Sequence, residues 1–448
     1  MYFKSENFVN DYQKVVTQFD DVEKIAKKLQ QKNITKLYLI GSGGTYTKFV
    51  DIRPMLFEKI DIPFLIVSPE EMSDLYLDQI DENTLLIVGT KTGATEELID
   101  VLKKVKEKNP ESLIYGFIGD DETELDKLNF LSYRTSSVDT DVHLVLFGWF
   151  LLCFTENDTS ILSEYQKELE LVGEKVATEI SRNEEAAINL VQSSDPTRMQ
   201  MWITSGRLWG EACCFCNYIL EEIQWIEAQA IHSSEFFHGP FELISDDFQV
   251  NVVLNSRETR NQDMRVKKFI DQHSTASNTI DMKDFNLEDF SNDLVKFIEP
   301  WLLNHYYDLL LRIYEQSKNS SILSCDGILM DVYTIFEFLS IHFQIIHFQN
   351  KKKKFVKWFS SVFLNDSITQ KSPNFFYRDE STKTIVVNIT TPEWSIFGDL
   401  LQTQKDRENY LKRLELIKLI SMILFIILLF LTTRVLNQGS IILSMILV

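Results

Sequence analysis

Short apolar runs recur at near-regular intervals along the first three quarters of the chain. The stretches between them carry apolar residues at helical spacing. "KLYLI" at 36–40, "PFLIV" at 63–67, "TLLIV" at 84–88 and "LIYGFI" at 113–118 read as buried strands, with helical stretches such as 96–108 between them. A charged helical connector spans roughly 160–192. The alternation then restarts with strands at 199–204, 248–255 and 278–282 and helices at 264–272 and 294–317. "SGRLWGEACCFCNYILEEIQWIEAQ" reads as a turn followed by one long helix. Strand–helix alternation of this kind predicts an α/β fold with two doubly wound parallel-sheet halves. The expected domains are 1–180 with the connector, 181–325, and an atypical extension over 326–448.

The extension differs in character. Residues 326–448 hold 14 Lys/Arg against 11 Asp/Glu, whereas the whole 448-residue chain holds 45 against 66. An acidic body therefore precedes a weakly basic tail. The apolar run within about 416–434 has an uncharged core of 15 residues, short of the roughly 20 a spanning helix needs. A tilted span, a hairpin and a core helix all remain open, so the tail at 416–448 is a candidate for membrane contact. A net charge of −21 excludes a phosphate-backbone partner, so no nucleic acid is expected.

Cys153, Cys213, Cys214, Cys216 and Cys325 have no disulfide-like spacing, and "MYFKSENF" lacks the basic-then-apolar order of a signal peptide. The expected compartment is the reducing cytoplasm. "CCFC" falls within an apolar helical pattern, where adjacent positions point in different directions and suit packing better than a metal.

Three places carry chemistry. The turn "GSGGT", including Gly43, Gly44 and Thr45, follows a strand and opens a helix, as anion-binding turns do. "GTKTGATEE" lies between another strand and helix, and offers Thr90, Lys91, Thr92 and Thr95. Hydroxyls, a cation and a helix N-terminus suit a phosphate monoester; helix capping by Thr92 or Thr95 is the alternative. On the long helix, Glu222 shares a face with Phe215, Tyr218, Ile219, Trp225 and Ile226 by helical spacing. That placement predicts a desolvated carboxylate with a raised pKa, or else a structural glutamate paired with an arginine. Then "HSSEFFHGPFEL" holds His232, Glu235 and His238, the last just before a Gly-Pro break. A third metal ligand is wanting there, so neither metal nor cofactor is expected.

The runs "GSGGTY", "TKTGAT", "GRLWGEA", "ILEEIQW" and "EFFHGPFEL" resemble the SIS (sugar isomerase) family of phosphosugar-binding domains over roughly residues 20–325. Within that family the stretch from "ILEEIQW" onward looks most like the deglycases of 6-phosphorylated Amadori products. The resemblance implies a phosphate seat at Thr45, Thr90, Thr92 and Thr95, with Lys91 replacing a family glutamine. It implies a catalytic glutamate at Glu222 and a catalytic histidine at His238. The lysine that the related synthase carries three residues before the glutamate is Ile219 here, which favours deglycation over synthase-type ring chemistry. The implied reaction is metal-free: His238 assists ring opening, and Glu222 moves a proton from C1 to C2 of the ketosamine. The resulting imine hydrolyses to glucose 6-phosphate and an amine. His232 and Glu235 are supporting candidates, and Arg257 and Arg260 could meet the carboxylate of an amino-acid moiety. A homo-oligomer is implied as well. The alternatives are an aldose–ketose isomerase of an amino sugar phosphate and a non-catalytic phosphosugar sensor.

Overall fold

Strands β1 (Lys36–Ile40), β3 (Thr84–Thr90) and β4 (Leu113–Ile118) are buried at nearly every position. That is the pattern of a parallel sheet covered on both faces. They form the centre of a five-stranded parallel sheet whose edges are β2 (Phe64–Val67) and β5 (Tyr133–Ser136), in the order β2-β1-β3-β4-β5. The second half has four parallel strands, β6 (Met199–Thr204), β7 (Ala228–His232), β8 (Phe248–Leu254) and β9 (Ser277–Asp281), in the order β7-β6-β8-β9. The expected two-half α/β architecture is the observed one. The computed structural model describes residues 2–317 apart from 121, 137–142 and 246, together with β10 (Phe376–Asp379) and β11 (Thr384–Val387). The chain divides into units Met1–Ile328 and Leu329–Val448, and the antiparallel pair β10–β11 belongs to the second.

Helices run in the order α1 (Ser5–Val16), α2 (Phe19–Gln30), α3 (Gly44–Lys59), α4 (Pro69–Glu71), α5 (Glu96–Lys108) and α6 (Glu124–Lys127). They continue with α7 (Leu144–Thr155), α8 (Thr159–Arg182), α9 (Glu184–Ser193), α10 (Trp209–Cys214), α11 (Arg260–His273) and α12 (Asn292–Ser317). Alternation along each strand sorts the core. Leu37, Leu39, Leu85, Ile87, Tyr115 and Phe117 join Trp202 and Val253 in one large apolar cluster that spans both halves. Their strand neighbours Tyr38, Ile40, Leu86 and Val88 face a separate cluster under α5. α7 lies in the shared cluster, with Leu144 through Cys153 all buried.

The halves also meet through charge. Lys48 of α3 and Glu211 of α10 form an ion pair of 2.6 Å, with both side chains almost wholly buried. Asn304 donates to Glu211 Oε2 at 2.9 Å, and the Glu211 N–H donates to Asp51 Oδ1 at 3.2 Å. Burial alone would lower the Lys48 pKa, but Glu211 outweighs it and holds the ammonium well above its ordinary value. Burial, and then Glu211, push Asp51 up. Gly210 lets the helices touch here, because a Cβ would strike the Thr47 carbonyl oxygen and Asp51 Oδ1.

One expected element is different. The helix from Trp209 passes at Phe215 into a π-helical turn that ends at Glu221, and Trp225 takes a φ of 54°. The Gln224 N–H reaches back to Ile219 O at 3.0 Å and the Ile226 N–H to Leu220 O at 2.8 Å, which closes the helix. The residues after the turn form β7 instead of continuing the helix, so His232 is the last residue of a strand. Among the described residues no helix is long and apolar enough to cross a membrane. The apolar stretch at 416–434 lies outside the described residues.

Candidate functional site

Strand order reverses between β1 and β3: the chain leaves β1 toward β2 and then crosses back to β3. Ligands in open α/β sheets bind in the crevice beyond the strand ends at such a point. A cavity of about 230 Å³ lies there, lined among others by Ser42, Thr45, Thr90, Lys91, Thr92 and Thr95. Five of these six are residues singled out for phosphate. Ser42 is the sixth, and its mark in the sequence is a hydroxyl inside the glycine-rich turn.

Two helix N-termini open onto this turn region. α3 begins at Gly44, after Gly43 with φ 57°, and the Thr45 N–H bonds Ser42 O at 3.2 Å. α5 begins at Glu96, and Thr95 occupies its N-cap position without capping it by a side-chain hydrogen bond. The Thr95 hydroxyl instead lies 3.1 Å from Thr90 Oγ1, which accepts from the Gly93 N–H at 3.2 Å. Thr92 Oγ1 accepts from the Ala94 N–H at 3.2 Å, inside the loop. The capping alternative for these threonines is therefore not what the structure contains. Thr45 and Thr90 are buried, whereas Lys91 and Thr92 are exposed at the mouth. Hydroxyls beside helix ends that no side chain caps are the ingredients of an anion site.

Glu222 departs from its expected setting. It follows the π-helical turn as the cap residue and is exposed. The wider turn changes the angular step per residue, so spacings of three, four and seven no longer define one face. The buried stripe runs through Glu211, Ala212, Cys214, Phe215, Cys216 and Leu220 instead. The expectation of a desolvated Glu222 is thus corrected; the carboxylate is offered to solvent. Its helix still reaches the cavity region, because the Tyr218 ring stands beside the Gly43 turn.

His238 ends a short 3-10 turn, Phe236–His238, with its N–H on Glu235 O at 2.9 Å. Phe236 is fully buried, and Phe237 packs on Phe269 beneath Arg265, 4.1 Å from the ring centroid. These rings anchor the turn and leave His238 exposed. Pro240 opens the next 3-10 turn.

His232 is half-buried, edge-on to Trp209 at 5.2 Å, with Nδ1 2.8 Å from Ser234 Oγ. Burial holds its pKa below the ordinary histidine value; Asp263 opposes this and Arg53 adds to it. Ser234 also donates to Glu235 at 3.2 Å. Arg260 makes two bonds to Asp281, at 2.7 and 2.6 Å, and Arg257 bonds Asn292. Both arginines thus have protein partners, and neither lines the cavity. Cys214 and Cys216 are buried cysteines, and burial pushes the half-buried Cys213 up to about 12. Among the described residues no three His, Cys, Asp or Glu side chains cluster to hold a metal.

The structure thus gathers Thr45, Thr90, Lys91, Thr92 and Thr95 around one cavity, with Gly43 and Gly44 in its turn. Glu222, His232, Glu235 and His238 do not line it.

The same two-sheet arrangement occurs in a Bacillus subtilis structure described as a phosphosugar isomerase. It matches with a TM-score of 0.59 and 20% identity over 67% of this chain and 93% of that one. The fold is that of the SIS phosphosugar isomerases. The tagatose-6-phosphate ketose/aldose isomerase of Escherichia coli matches with a TM-score of 0.55 and 16% identity over 72% of this chain and 92% of its own. By sequence, the chain is 22% identical to the fructosamine deglycase of Bacillus subtilis (strain 168) over 298 residues, 63% of this chain and 88% of the relative. It is 20% identical to the fructoselysine 6-phosphate deglycase of Escherichia coli (strain K12) over 320 residues, 66% of this chain and 86% of that one. No family model matches the chain. The resemblance read from the glycine-rich loops and the "HGPFEL" run therefore has counterparts in both sequence and fold.

Proposed function

We propose that the chain is an enzyme that cleaves a 6-phosphorylated Amadori product, such as fructoselysine 6-phosphate, to glucose 6-phosphate and a free amine. The observation that carries this reading is the cavity at the switch point, where hydroxyls and Lys91 stand beside two helix N-termini and suit the C6 phosphate. The relatives named as deglycases support the reaction class. In this reading Glu222 takes a proton from C1 and returns one at C2. His238 moves protons at the sugar oxygens, and water then hydrolyses the C1 imine. Both groups are accessible, as groups that meet a substrate must be. Assembly into a homo-oligomer belongs to the same reading.

The test is direct. Purified chain is incubated with fructoselysine 6-phosphate, and glucose 6-phosphate and lysine are assayed together. Equal amounts of both products are expected, with none from Glu222→Gln. If the wild type makes no more than that variant, deglycation is wrong, and interconversion of amino sugar phosphates becomes the reaction to assay.

A further inference from the structure

A phenol stands beside the glycine-rich turn that leads into the cavity. Tyr218 lies in the π-helical turn, four residues before Glu222. Its Cζ, the carbon that bears the hydroxyl, stands 3.9 Å from where a Cβ on Gly43 would be, and Cε1 stands 4.0 Å away. Gly43 has φ 57° and no side chain, so the hydroxyl-bearing end of the ring faces the turn between Ser42 and Thr45 across the space a side chain would take. Ser42 and Thr45 both line the cavity. The ring is half-buried, so this end of it is not sealed in the core.

A substrate with its phosphate in the cavity and its C1 at Glu222 would pass this phenol. Of its sugar oxygens, the one whose charge changes most in the first step is the oxygen on C2. We propose that Tyr218 is a further catalytic residue which, on the deglycase reading above, donates a hydrogen bond to that oxygen while Glu222 removes the C1 proton. The C1–H bond breaks and its electron pair forms the C1–C2 double bond. The carbonyl pair moves onto the C2 oxygen, which takes a proton from His238 to become the enol hydroxyl, and Tyr218 keeps its own proton throughout. Burial holds the phenol above its ordinary value, so it is a neutral donor at ordinary pH. Such a donor aimed at developing charge is a recurrent means of stabilising an enolisation.

Tyr218→Phe keeps the ring on Gly43 and removes only the hydroxyl. The expected result is a fall in kcat of about 100-fold on fructoselysine 6-phosphate, with a parallel slowing of C1 proton exchange into deuterated water. The inhibition constant for inorganic phosphate should stay within about twofold, since a group distant from the phosphate contributes no uniform binding to it. Tyr218→Leu, which also removes the ring, should lose at least as much. An active wild type with an equally active Tyr218→Phe overturns the role of Tyr218 alone. So does a Tyr218→Phe that loses phosphate affinity and kcat/KM together with its thermal midpoint, which would mark the ring as packing. A wild type with no turnover overturns the parent reading and this role with it.

Discussion

Each half of the molecule has a point where its strand order reverses, and the two points are furnished in opposite ways. Beyond β1 and β3 the crevice is open, and hydroxyls and a lysine line a cavity. Beyond β6 and β8 the chain fills the crevice with a carboxylate of its own. Asp263, fully buried on α11, accepts from Ser205 Oγ at 2.6 Å, Ser233 Oγ at 2.7 Å, and the backbone and side-chain nitrogens of Asn255, both at 2.9 Å. Ser205 and Asn255 are the residues that directly follow β6 and β8. The two halves therefore share a fold but not an opening: one tip has room for an outside anion, and the other is filled by an internal carboxylate that ties Ser205, Ser233 and Asn255 together. A switch point marks where a ligand can bind, and the side chains there decide whether one does.

The largest way to break this contrast is Asp263→Ala. It strands donors of four buried hydrogen bonds, so urea unfolding should register a loss of about 4 kcal/mol at about 1 per bond. Phosphate affinity of the folded fraction should be unchanged. Lys48→Met should cost about 3 kcal/mol in the same measurement, because Glu211 would be left buried and unpaired. Thr90→Val inverts the pattern: stability should fall by only about 1 kcal/mol, for one hydroxyl that bonds Thr95 and Gly93. Phosphate affinity, read by calorimetry, should drop about tenfold. Lys91→Ala, at the exposed mouth, should weaken binding by only a few fold and reduce its salt dependence.

The smallest effect is one of pH. The folded pKa of His232 is below its ordinary value of 6.5. The unfolded chain therefore takes up that proton first as pH falls. The stability this histidine contributes is complete above about 6.5 and is lost on descending toward its lower folded value. His232→Asn should flatten the thermal midpoint across that interval, and an unchanged slope would show that the fold does not hold His232 below its ordinary value.

Much of the fold was legible because buried strands write themselves as apolar runs: "KLYLI", "LIYGFI" and "MQMWIT" became β1, β4 and β6. The threonines were legible because hydroxyls at strand tips are few and close in sequence. The π-helical turn was not, since nothing in "FCNYILE" declares a wider hydrogen-bonded ring, and it moved Glu222 off the apolar stripe. β7 was hidden for the same reason, its five residues continuing the helical spacing before them. α7 is apolar all round and has no period to read. Lys48 and Glu211 lie 163 residues apart, and only the fold brings them together.

Calorimetric titration of glucose 6-phosphate into the wild type and a Thr45→Val, Thr90→Val variant tests the contrast between the two tips most directly. One molecule bound per chain in the wild type and none detectable in the variant is the predicted result. Two bound per chain, or one that survives in the variant, would contradict it.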